Sequence, residues 1–128
     1  MVIKRFFLVL ALLIGGALLS LILIRLLITQ SVTCAPTCVG VNLQARDLHD
    51  LTLAKAQFIE AQLQSADLSG ANLREVDLSG ANLARANLRN ADLTDAHLIG
   101  ADLSLARLEG SILNGADLSG ANLAEAVS

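Results

Sequence analysis

Residues 66–93 read ADLSGANLREVDLSGANLARANLRNADL, with leucine at every fifth position: Leu68, Leu73, Leu78, Leu83, Leu88 and Leu93. A step of five suits neither regular structure. On an α-helix each residue advances about 100°, so successive leucines scatter around the cylinder by roughly 140° and form no apolar stripe. In a flat strand an odd step sends them to alternate faces. A backbone that turns a corner once per repeat brings every leucine back to one axis. The spacing therefore predicts a coil with short straight sides, its interior filled by leucine columns.

The neighbours of each leucine sharpen this expectation. Two residues earlier stands alanine, as at Ala66, Ala71, Ala81, Ala86 and Ala91, with Val76 the larger exception. Between them lies a polar residue, usually Asp or Asn, as at Asp67, Asn72, Asp77 and Asn82. Three residues thus read in, out, in, and the next two form the corner. Corner pairs such as Ser-Gly, Arg-Asn and Thr-Asp suit turns, which favour Gly, Asn, Asp and Ser.

The run from Val41 to Glu125 is 85 residues, or seventeen units of five, with Leu in every central slot except Phe58. It closely resembles the pentapeptide repeat family. The resemblance implies an all-β solenoid, a right-handed quadrilateral β-helix of four units per coil and about four coils, each contacting only its neighbours. With stacked strands about 4.8 Å apart, the rod would be roughly 20 Å tall. Pairing twenty residues apart would then set Lys55 over Glu75 and Arg89 over Glu109. At the start, Val41, Arg46 and Leu51 stand in the alanine slot, as expected of a modified first coil.

A different element precedes the repeats. Phe6 to Ile24 carries no charge, and Leu26 to Ile28 extends the apolar run past Arg25. This segment accounts for most of a mean hydropathy of +0.61. About 20 apolar residues span a bilayer core as a helix, so a single transmembrane anchor from Phe6 to Ile28 is expected. A cleaved signal, releasing a soluble lumenal or periplasmic protein, is the alternative; no small-residue cleavage site stands out after Ile28. The expected organisation is an anchor over 1–30, a cysteine-containing linker and N-cap over 31–40, and the β-helix over 41–128. Lys4 and Arg5 precede the apolar run, and the positive-inside tendency leaves the N-terminus in the cytoplasm and the repeats in a periplasm or thylakoid lumen.

The only cysteines, Cys34 and Cys38, flank Ala-Pro-Thr just before the first repeat. An oxidising compartment allows a structural disulfide between them; free thiols, a redox pair and a metal site are the alternatives. Two thiols alone do not complete a metal site, and His49 and His97 show no supporting spacing. Many cyanobacterial pentapeptide repeat proteins look similar in this segment, a resemblance that implies a thylakoid or cell-envelope setting.

No nucleophile elbow, phosphate loop or metal motif is present, so neither an enzyme nor a cofactor is expected. From Val41 onward there are twelve Asp or Glu against six Lys or Arg, a net of 6 negative; the leader's three cations bring the chain to −3. Direct nucleic-acid binding is not expected at that balance. The outer faces remain for protein contacts. Ile59, Ser79, Ile99 and Ser119 stack at twenty-residue intervals beside Gly80, Gly100 and Gly120, a face of low relief and weak charge. The expectation is a tethered scaffold or accessory subunit of a membrane complex that binds partner subunits there or at an open end, where two copies would meet as an end-to-end homodimer. The competing expectation comes from family members that imitate DNA and modulate topoisomerases such as gyrase.

Overall fold

The computed structural model describes residues 38–128. Fourteen parallel bridges link residues that lie twenty apart, from Asn42 with Gln62 to Arg107 with Val127. Four units of five therefore complete one coil, and the same four sets of units stack into four faces. Face A contains 41–45, 61–65, 81–85, 101–105 and 121–125. Face B contains 46–50, 66–70, 86–90, 106–110 and 126–128. Face C contains 51–55, 71–75, 91–95 and 111–115, and face D contains 38–40, 56–60, 76–80, 96–100 and 116–120.

The unit 81–85 shows why this backbone is satisfied. The Asn82 N–H donates back to Ala61 O (2.9 Å), while those of Leu83 and Arg85 donate forward to Asp102 O (2.7 Å) and Ser104 O (2.8 Å). The Ala81 N–H closes the preceding corner on Leu78 O at 3.0 Å. One donor remains, the N–H of Ala84, and the side-chain Oδ1 of Asn82 accepts it at 3.1 Å. Every amide of the unit is thus paired, as a folded chain requires.

That side-chain bond explains the recurrent Asp or Asn. All eleven such residues in the outward slot, from Asn42 to Asn122, accept the amide hydrogen of the residue two positions on. Glutamine is too long for this local turn, and Thr, His, Arg and Ile do not replace it. The outward slot is thus a structural slot before it is a surface one.

The corners carry the bending. Every fifth residue from Gly40 to Glu125 has a positive φ, between 52° and 74°. Its predecessor does not, which is the dihedral signature of a type II turn. Seven of these eighteen corner residues are glycine and eleven are not. They include Leu105 (φ 59°) and Arg85 (φ 61°), side chains that rarely occupy the left-handed region. Packing and the three ladder bonds donated by each interior unit over-determine the local choice.

The core is apolar from end to end and, apart from Phe58 and Cys38, aliphatic. Leu68, Leu73, Leu78, Leu83, Leu88 and Leu93 are fully buried, as are the alanines beside them, and no buried charged or polar residue interrupts them among the described residues. Burial of each leucine contributes about 1.5–3 kcal/mol. The coil register reaches back to Cys38, which fills the inward slot one rung before Phe58 and is 7% exposed. Phe58, the one departure from leucine, supplies extra volume beside that smaller residue. In the first coil Val41 and Leu51 pack half-buried against the core, whereas Arg46 is exposed. In the last coil Leu113 and Leu118 are half-buried and Leu123 is 43% exposed.

The expected anchor from Phe6 to Ile28 lies outside the described residues, as does Cys34. Among the described residues no helix is long and apolar enough to cross a membrane.

Candidate functional site

With leucine and alanine closing the interior, chemistry on this rod is confined to its faces, and face D differs most from the rest. Its column of first corner residues runs Val39, Ile59, Ser79, Ile99, Ser119. Backbone bonds fix the stacking: Gly40 N–H to Ile59 O (2.9 Å), Glu60 N–H to Ser79 O (2.9 Å), Gly80 N–H to Ile99 O (2.8 Å) and Gly100 N–H to Ser119 O (2.9 Å). The residues expected from the sequence to share a face are therefore brought together. Val39, which sequence spacing alone did not bring in because it precedes the first full repeat, heads the column and is 54% exposed. Ile99 is 45% exposed, and Ile59 is half-buried.

The glycines beside this column form a low edge. A side chain added at Gly100 or Gly120 would meet nothing within 4 Å. Glu60 interrupts the edge one rung before Gly80, against which its stem lies.

Two amide donors on this face are left uncapped. Gln57 and His97 hold the outward slots that Asp77 and Asp117 hold on alternate rungs. Asp77 and Asp117 accept from Ser79 and Ser119, each at 3.0 Å. The N–H groups of Ile59 and Ile99 have no acceptor among the described residues, and they lie beside the exposed aliphatic side chains.

Charge separates face D further. Its units contain Glu60, Asp77 and Asp117 and no Lys or Arg, whereas face A has Arg85, face B has Arg46, Arg89 and Arg107, and face C has Lys55 and Arg74. The only other titratable side chain of face D is His97, which lies between Asp77 and Asp117 in the ladder. The serine hydroxyl and amide of Ser119 hold the Asp117 carboxyl below the usual carboxylate range, so it stays anionic at neutral pH.

On faces B and C several charges are paired. Lys55 and Glu75 lie 3.6 Å apart, and Arg89 binds Glu109, both as twenty-residue stacking requires. Arg74 reaches Asp92 at 3.2 Å across an eighteen-residue separation, and Arg107 approaches Glu109 at 3.8 Å. The Arg89 guanidinium holds the Glu109 carboxyl below its usual range. These pairs are open to solvent, which screens them. His49 binds Asp47, whose hydrogen bond and charge raise its pKa. Among the described residues no cluster of His, Cys, Asp or Glu has the arrangement of a metal site.

Comparison with known proteins agrees with this geometry. The family model for pentapeptide repeats matches in 8 copies over residues 38–74, 71–110 and 101–127. No curated protein matches the chain. Among solved structures, a pentapeptide repeat protein from Nostoc Pcc 7120 is 34% identical, the match covering 64% of this chain and 76% of that one with a TM-score of 0.59. A pentapeptide repeat protein from the thylakoid lumen of Arabidopsis thaliana is 35% identical over 68% of this chain and 57% of its own, with a TM-score of 0.37. One from the cyanobacterium Cyanothece 51142 is 29% identical over 71% of this chain and 86% of its own, with a TM-score of 0.38.

Proposed function

The chain belongs to the pentapeptide repeat family, whose fold is a right-handed quadrilateral β-helix, and from that premise we propose that it is a non-enzymatic, membrane-tethered scaffold or accessory subunit that docks other proteins on face D. The observation that carries this reading is Ile99, an aliphatic side chain 45% exposed at the centre of a flat face whose core is already sealed beneath it. A side chain that contributes nothing to the interior and stands beside an uncapped amide is suited to contact rather than to folding. The uncharged stretch from Phe6 to Ile24 supplies the tether, with the rod on the non-cytoplasmic side.

Cys34 and Cys38 close a short disulfide at the head of the coil on this reading. Cys38 is buried in the core column and is not a free thiol. An oxidising compartment on the rod's side of the membrane supports that bond.

Gentle detergent extraction of the full chain, followed by mass spectrometry of what accompanies it, tests the docking reading. Proteins retained by the wild type and lost with Ile99→Arg are the expected result. If Ile99→Arg keeps every associated protein, the docking role of face D is refuted. Protease accessibility in sealed membranes checks the sidedness, and the mass of the alkylated chain before and after reduction checks the disulfide.

A further inference from the structure

Resting on the docking role of face D, we infer that the segment received there is basic as well as aliphatic: a stretch of another protein in which Lys or Arg side chains flank Leu, Ile or Val. Face D is the only face without a Lys or Arg, and its carboxylates Glu60, Asp77 and Asp117 bracket the aliphatic column. On faces B and C the carboxylates Glu109, Asp92 and Glu75 already answer to Arg89, Arg74 and Lys55. The three on face D have no cationic Lys or Arg partner among the described residues, so their field is directed outward.

Three features select the same occupant. The exposed Ile99 and Val39 reward an aliphatic contact. The Ile59 and Ile99 N–H groups offer hydrogen bonds to the carbonyls of an approaching backbone, and the side-chain-free edge at Gly100 and Gly120 lets that backbone come close. Carboxylates without a Lys or Arg partner on either side of the column then favour a cationic segment and repel an anionic bilayer or a nucleic acid.

The chain itself provides a mild way to remove the charge. Asp77 and Asp117 cap the amides of Ser79 and Ser119, and asparagine makes the same cap at Asn72, Asn82 and Asn122. Asp77→Asn with Asp117→Asn therefore deletes two charges and keeps the fold, which an unchanged melting curve verifies. Asp95→Asn, at a corner of face C, removes a carboxylate elsewhere.

The test titrates the full chain, in non-ionic detergent, with a synthetic lysine–leucine peptide and with the same peptide carrying glutamate for each lysine. The lysine–leucine peptide is expected to bind in a salt-sensitive way and about tenfold more weakly to the double Asp77→Asn/Asp117→Asn variant. Asp95→Asn is expected to leave that affinity unchanged. Equal affinity for the glutamate peptide, or equal losses in the face C and face D variants, overturns the inference. So does a stronger association of the wild type with vesicles of anionic lipid than with the lysine–leucine peptide. Any of these results alongside a loss of partners in Ile99→Arg would leave the docking role intact and reject only the basic character of the occupant.

Discussion

Asn82 Oδ1 accepts the amide hydrogen of Ala84 at 3.1 Å, and with that one bond the last backbone donor of its unit is satisfied. Asn82→Ala is expected to cost about 0.5–2 kcal/mol, the range of lost side-chain caps on backbone amides. Asn82→Asp, which keeps the acceptor, is expected to change stability by less than about 0.5 kcal/mol. Urea denaturation of the three proteins measures both differences.

Leu83 stands in a middle coil with no solvent exposure. Leu83→Ala removes contacts in its own layer and leaves a cavity that the rigid ladder cannot close, a loss of about 2–5 kcal/mol. A melting curve superimposable on that of the wild type would contradict its place in the column.

Corner substitutions are expected to divide by sign. Leu105 holds φ 59° while 40% exposed, and Asn90 holds the same kind of corner at φ 55°. Leu105→Asn is expected to stabilise the chain by about 0.5–1 kcal/mol, because Asn tolerates the left-handed region at lower cost. Gly70→Ala is expected to destabilise by about 1–3 kcal/mol. Its methyl would have to hold a positive φ, while the exposed Asp50 carboxylate beside it turns aside. Calorimetric melting of the two variants reports both signs.

Acid is expected to weaken the rod. Hydrogen bonds from the hydroxyls of Ser69 and Thr94 hold Asp67 and Asp92 below the usual carboxylate range, and the amide of Ser104 does the same for Asp102. A carboxyl whose pKa is lowered on folding adds stability above its unfolded value, near 3.9, and loses it as pH falls through the folded value. The urea midpoint, corrected for other groups by comparison with Asp67→Asn, should therefore be level in its Asp67 contribution from neutrality to about pH 5 and decline below about pH 4. A contribution that instead grew on acidification would contradict the assigned bonds.

Much of the architecture was legible because leucine at a fixed step of five leaves the backbone few solutions. The inward slots of Leu68 to Leu93 follow from that period, whereas the pairing of Lys55 with Glu75 and the column through Ile59 and Ile99 follow from the four units per coil that the family resemblance implies. The role of Asn82 was not legible in the same way: its repetition marked an outward position, but only the full count of amide donors shows why threonine or glutamine does not serve. Leu105 and Arg85 concealed their left-handed corners because their residue types argue against them. Arg74 and Asp92 meet at a separation of eighteen, off the twenty-residue register, where side-chain reach decides and spacing is silent. Val39 fell before the first complete repeat, so the period did not announce it. The single-signed charge of face D required sorting residues by fourfold register, which the whole-chain balance obscures.

The twenty-residue register also constrains how such a gene can lengthen or shorten. Removing one unit of five between Ile59 and Ala81 would preserve the leucines in the interior yet rotate all later residues by one side of the square, parting Ile59 from Ile99 and bringing Arg85 onto the side that Glu60 occupies. Losses and duplications of whole coils keep that surface in line, so descent that retains the face should proceed in steps of twenty codons even though the fold itself would accept steps of five.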